Sequence, residues 1–188
     1  MGKVRPSPTS RFVFNTVLPF RWVQRNRNRA PERCSWLWAD IYKFFMASPS
    51  SRRKYLVEVH AYPEHLYTVD FYAKVDNADR YRLRTHQFGA GRLGGTVLAI
   101  MAEVLRQDPA ARFGFLAAAM RDETSDSRTK RFKLYTRMME QKLNPARHTI
   151  VTRPENSSIF VLPNEVAVDE LIQESIIKRY ECYFAETF

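Results

Sequence analysis

The chain has 188 residues, 45% of them hydrophobic and 13% aromatic. That excludes a disordered polymer and suffices for one domain with an appendage. Thirty Lys and Arg against twenty Asp and Glu give a net charge of +10, which favours an anionic partner. No apolar run approaches the ~20 residues that span a bilayer. Cys34 and Cys182 lie far apart without metal-ligand spacing, so no membrane association, no metal and a cytoplasmic location are expected.

Residues 1–30 read as a basic arm, extended or irregular because Pro6, Pro8 and Pro19 interrupt it. The charge is concentrated here: Lys3, Arg5, Arg11, Arg21, Arg25, Arg27 and Arg29 face no acid before Glu32. Arg21, Trp22, Arg25, Arg27 and Arg29 mix cations with an aromatic ring, as RNA-binding segments do. RNA or a nucleic-acid-associated protein is the partner this arm implies; a face that only aids solubility is the alternative.

A helix is expected from Pro31 and Glu32, with Trp36, Leu37, Ile41, Phe44 and Phe45 on its apolar side, ending at Ser48–Ser51. Three strands follow, Tyr55–Tyr62, Leu66–Val75 and Arg80–Gln87, joined by the short polar connections of antiparallel hairpins. Gly89, Gly91, Gly94 and Gly95, four of six glycines in the chain, then read as a turn into a helix, Thr96 to about Gln107, whose broad apolar face needs a sheet to lie on. Asp108 and Pro109 end it. Phe113–Met120 reads as a central strand covered on both faces. A helix capped by Ser127 or Asp126 runs to about Leu143, two strands follow near His148–Arg153 and Ile159–Leu162, and Val166–Phe184 forms a terminal helix.

Clustered glycine at a strand-to-helix junction indicates close backbone approach. A helix N-terminus behind it offers unpaired N–H groups and partial positive charge to phosphate. No Gly-Lys-Ser/Thr follows, which excludes a nucleotide P-loop. Antiparallel strands before the turn speak against a dinucleotide fold.

This order of elements, with the phosphate turn at its middle, resembles the GNAT family of acyl-CoA-dependent N-acyltransferases over residues 31–163. The resemblance implies an α+β fold, a mixed and mostly antiparallel sheet flanked by helices, with residues 1–30 as the basic arm and 164–188 as a helical extension. It also implies that the strands before and after the central helix splay apart around the pantetheine arm of acetyl-CoA, while the turn wraps the pyrophosphate. Placing Gly95-Thr96-Val97-Leu98 on the family's final glycine and its following run puts Thr85 at the end of the fourth strand. Ala90 then stands where the family has Arg or Gln, and Leu93 where it has its first glycine. Leu134-Tyr135 falls on the recurring Leu-Tyr pair whose tyrosine, in many members, protonates the departing thiolate; the pattern's Asn falls on Arg128, and its Gly-Phe on Met139-Glu140.

The resemblance makes acetyl-CoA the co-substrate, held by Leu83, Thr85, Arg92, Leu93, Gly94, Gly95, Thr96 and Arg128, with a backbone N–H near Leu83–Thr85 as oxyanion donor. Tyr135 is the expected general acid. His86 is a candidate base by its ordinary pKa, and Glu58 and Asp70 are further candidates on expected strands. The acceptor would be an amine on a protein or on a nucleic acid, such as a charged tRNA. The alternative is a non-enzymatic adaptor that binds nucleic acid through the arm. Either form allows a homodimer.

Overall fold

The computed structural model describes residues 14–30, 35–48, 51–74, 87–120 and 122–187. Its elements, in chain order, are β1 (Phe20–Arg27), β2 (Trp38–Ser48), β3 (Ser51–Tyr62), β4 (Leu66–Ala73), α1 (Gln87–Gln107), β5 (Arg112–Leu116), α2 (Lys130–Lys142), β6 (His148–Arg153), β7 (Ser158–Pro163), α3 (Asn164–Ala167) and α4 (Glu170–Thr187). The seven strands form one sheet in the order β1-β2-β3-β4-β5-β7-β6. Every neighbouring pair is antiparallel except β4 and β5, which run parallel and are connected through α1. The fold is therefore α+β, with a mostly antiparallel sheet.

Two expectations for the first part of the chain are corrected. The segment expected as a helix is β2, which pairs with β3 along its whole length. Its aromatic and apolar residues alternate: Tyr42 and Phe44 enter one core and Ile41 is buried on the other side. A strand with apolar residues on both faces satisfies a helical spacing test by coincidence. The basic segment, expected to be an arm that is extended or irregular, is extended in β1, which joins the sheet, and it adds a buried lead-in, with Phe14 3% exposed in the core. Of the expected strand Arg80–Gln87, residues 80–86 lie outside the described residues, and with them Leu83, Thr85 and His86. Gln87 opens α1.

Helices cover one face of the sheet and part of the other. On one face α1 and α2 bury Leu93, Val97, Ile100, Met101, Phe132, Met138 and Met139 against Tyr42, Phe44, Val57, Val59 and Val69. On the other, α4 lays Ile176, Ile177, Tyr180 and Phe184 over Tyr62, Leu66, Phe160 and Leu162. The Tyr180 hydroxyl donates to the Arg112 carbonyl at 2.5 Å and accepts from the Tyr67 N–H at 3.2 Å. It thereby bonds to both strands of the parallel pair.

The glycine-rich stretch is the third correction: Gly89, Gly91, Gly94 and Gly95 all lie inside α1, which starts about two turns earlier than expected. A Cβ on Gly95 would stand 2.5 Å from the Thr16 carbonyl oxygen, and one on Gly94 would run into the Met138 thioether and the Phe14 ring. The close approach that these glycines permit is that of the chain's own residues 14–16 and of α2.

Candidate active site

The parallel pair is short. β4 and β5 pair only where Leu66–Thr68 faces Arg112–Gly114. Beyond Thr68, β4 stays bonded to β3 through Ala73, and β5 stays bonded to β7 through Leu116. Their facing edges separate. The chain after β5 is held toward β7 and α2: the Ala117 N–H donates to the Ser157 carbonyl at 3.0 Å, and the Thr129 hydroxyl donates to the Ala117 carbonyl at 2.7 Å. Among the described residues, no strand pairs with the parting edges beyond Thr68 of β4 and Gly114 of β5.

A small cleft of about 30 Å³ lies at this point, lined by Val69, Asp70 and Phe71 of β4, Phe115 and Leu116 of β5, Ala118 beyond it, and Arg131 and Tyr135 of α2. Thr129 also sets the α2 side of the site. Its Oγ1 accepts the Phe132 N–H at 3.1 Å and so caps the helix, a contact that holds the first turn in place. Arg131 and Tyr135, four residues apart, then share the helix face that meets the cleft.

Tyr135 packs its ring 5.3 Å from that of Phe71, centre to centre. Burial pushes its phenol up to about 12, Arg131 pulls it down and Asp70 pushes it further up. It is thus protonated at neutral pH. Asp70 stands opposite Glu58 in the antiparallel register, and its carboxyl is pushed up to about 7, by burial first and by the Glu58 charge second. Glu58 accepts a hydrogen bond from the Tyr72 hydroxyl. His60 stands beside both, its Nδ1 3.7 Å from Asp70 Oδ2 and its Nε2 4.0 Å from Glu58 Oε2. Burial lowers the His60 pKa, with Glu58 opposing. The cleft thus joins a carboxyl that exchanges its proton near neutrality to a phenol that keeps its own, the pairing that acid–base chemistry at neutral pH requires.

The expected site residues divide accordingly. Tyr135 and Asp70 line the cleft, with Glu58 next to Asp70. Leu134 packs against the core. Leu93 is 6% exposed and Thr96 fully buried; the Thr96 hydroxyl accepts the Leu18 N–H at 3.0 Å and donates to the Arg92 carbonyl. The cradle expected from Leu93, Gly94, Gly95 and Thr96 is therefore filled by residues 14–18 and Met138, because their small side chains serve helix and lead-in packing. The Arg92 side chain is exposed on α1. Arg128 is exposed with a left-handed backbone, φ 51°, and its N–H donates to the Pro154 carbonyl.

In β1, Arg21 and Arg27 are exposed, as is Arg29 just beyond the strand. Trp22 and Arg25 have a structural tie: Asp40 Oδ1 accepts from Trp22 Nε1 at 3.1 Å and Arg25 Nε at 2.9 Å, and Oδ2 accepts from Arg25 Nη2 at 2.7 Å. Two site residues escaped the sequence reading. His60 was signalled by strand alternation, lying two residues from Glu58, and Arg131 by its place one turn before Tyr135.

Among the described residues no group of three or more His, Cys, Asp or Glu is placed to hold a metal ion, and no helix is long and apolar enough to cross a membrane. No protein-family model, curated protein or solved structure matches the chain.

Proposed function

We propose that the protein is an acyl-CoA-dependent N-acyltransferase, most simply an acetyltransferase. The observation that carries this reading is the parted β4–β5 pair with Asp70 and Tyr135 lining one cleft. Strand edges that no other described residue pairs with suit an extended ligand with amide groups of its own, as the pantetheine arm has. Phosphates of the same ligand would fall to the first turn of α1, which holds no acid, rather than to Gly94–Thr96. Bound acyl-CoA supplies a thioester for attack by an amine.

The residues of the chain then manage protons. Asp70 as carboxylate takes a proton from the incoming ammonium group, which frees the lone pair that forms the N–C bond, and the second proton shed by that nitrogen as the amide forms passes to solvent. Tyr135 donates its phenolic proton to the sulfur as the C–S bond breaks, so that the products are an amide and the CoA thiol. Solvent returns a proton to Tyr135 and removes one from Asp70. Glu58 and His60 position Asp70 and set its basicity.

Calorimetric titration with acetyl-CoA, desulfo-CoA and ATP tests the reading. Micromolar binding of both CoA forms with weak ATP binding supports it. Absence of heat from folded, CoA-free protein at high concentrations overturns it. The second reading, a non-enzymatic nucleic-acid adaptor, is favoured by the occupation of the expected glycine cradle by residues 14–18; it requires nucleic-acid binding without any CoA binding.

A further inference from the structure

Adding β1 to the sheet gathers a second group of residues on the face turned away from α1 and α2, at the end remote from α4. Arg21 pairs with Lys43, Phe45 with Lys54 and Ala47 with Arg52. The Lys74 N–H donates to the Lys54 carbonyl, which continues the same row. Arg21, Phe45, Arg52 and Lys74 are exposed, and Lys43 and Lys54 half-buried. Among the described residues none of the five cations has an ion-pair partner. Lys43 is pushed below its ordinary pKa by burial and by Arg21 and Lys54 beside it. Like charges held together without a counter-charge repel, and an anion across them would relieve the repulsion.

The patch also has a ring at its centre. The Arg52 guanidinium lies 4.3 Å from the ring centre of the exposed Phe45, a planar cation stacked on an aromatic face. Bases of a single strand stack on such surfaces while lysines follow the backbone phosphates. An acidic peptide would satisfy the charges and leave the ring unused, and paired bases in a duplex are not free to stack on it.

We propose that this face, formed by Arg21, Lys43, Phe45, Arg52, Lys54 and Lys74, is a docking surface for a single-stranded nucleic acid. Leu56, paired with Lys43, separates it from Glu58 and Asp70 on the same face. A bound strand therefore passes beside the cleft and brings an amine attached to it within reach of Asp70. This last step rests on the acyltransferase reading; the binding does not.

Fluorescence anisotropy with a short labelled oligouridine, over a salt series on the full chain, tests the surface. Five phosphate contacts predict a log K against log salt slope of about −3.5 for the wild type. Lys43→Gln with Lys54→Gln should weaken binding at least tenfold and flatten the slope by about 1.4; Arg21→Gln with Arg52→Gln, a second pair in case the first is unstable, should act alike. Lys133→Gln with Lys178→Gln removes equal charge elsewhere on the exposed surface and should change neither quantity. Phe45→Ala should cost about tenfold for the single strand and nothing for a duplex of equal length. Equal losses from the patch and control pairs would overturn the proposal, as would failure to bind the oligonucleotide. Patch-dependent binding of polyglutamate or of anionic vesicles in preference to the oligonucleotide would also overturn it.

Discussion

Tyr135 and Asp70 hold their protons in opposite ways, and each makes a separate forecast. Removing the phenolic hydroxyl in Tyr135→Phe leaves the ring against Phe71; kcat should fall about 10²-fold, the usual span for a lost general acid, with CoA affinity retained. Steady-state turnover alongside calorimetry checks both halves. For Asp70 the rate should rise with pH through about 7, and Asp70→Asn should abolish that limb of the profile. Stability runs the other way. Between the ordinary value of 3.8 and about 7, the folded chain keeps a proton that the unfolded chain has released, so ionisation at Asp70 lowers stability as pH rises through that window. Relative to wild type, Asp70→Asn should gain roughly 1–4 kcal/mol between pH 5 and pH 8, measured by denaturant unfolding of both proteins. His60, Glu58, Tyr72 and Arg131 remain in both, so the difference isolates the carboxyl.

Gly114 and Gly95 each stand where another part of the chain approaches closely. On β5, a Cβ added at Gly114 would lie 2.6 Å from the Tyr180 ring of α4, the same ring whose hydroxyl bonds to β4 and β5. Gly114→Ala should therefore cost about 1–3 kcal/mol by overpacking. On α1, the obstacle at Gly95 is backbone, the Thr16 carbonyl oxygen, which cannot rotate aside. Gly95→Ala should displace residues 14–18 and release the bond from the Leu18 N–H to Thr96. Hydrogen exchange at Leu18 should quicken while amides of β5 and β7 keep their protection. β3 to β7, α2 and the terminal helix were readable in outline from alternation and turn residues, although α2 is capped by Thr129 and not by the expected Ser127 or Asp126. β2 was not, since its residues are apolar on both faces and match a helical spacing equally well. The early start of α1 was hidden because glycine, a poor helix former in isolation, is held helical here by what packs against it.

For the molecule as a whole, the reading turns on a ligand that bridges both halves of the sheet. If acyl-CoA lies in the cleft, it binds the folded chain alone, and at about one hundred times its Kd it should add about 2.7 kcal/mol of stability. That corresponds to a rise in Tm of roughly 5–10 °C for a domain of this size, with a smaller rise for ATP. A calorimetric scan with each ligand distinguishes the enzyme from the adaptor, since an adaptor responds to nucleic acid only. The basic patch and the cleft lie on connected parts of the sheet, so binding of an oligonucleotide and of CoA can be measured on one protein and compared.

The sequence by itself determined the α+β class, five of the seven strands in outline or in part, α2, the terminal helix and Tyr135 as a residue of interest. These follow from local patterns: period-two alternation, helical spacing, a polar loop before a helix. Tertiary structure alone decided the rest. Where the sheet parts depends on Leu66 pairing with Arg112 and Phe113 with Val161, pairings between residues far apart in sequence that no local signal carries. The glycines of α1 turned out to admit neighbouring chain because occupancy of a close approach depends on what folds beside it. Asp70 became the notable carboxyl only when Glu58 was set opposite it and both were partly buried, since a pKa is made by surroundings that a linear sequence does not show.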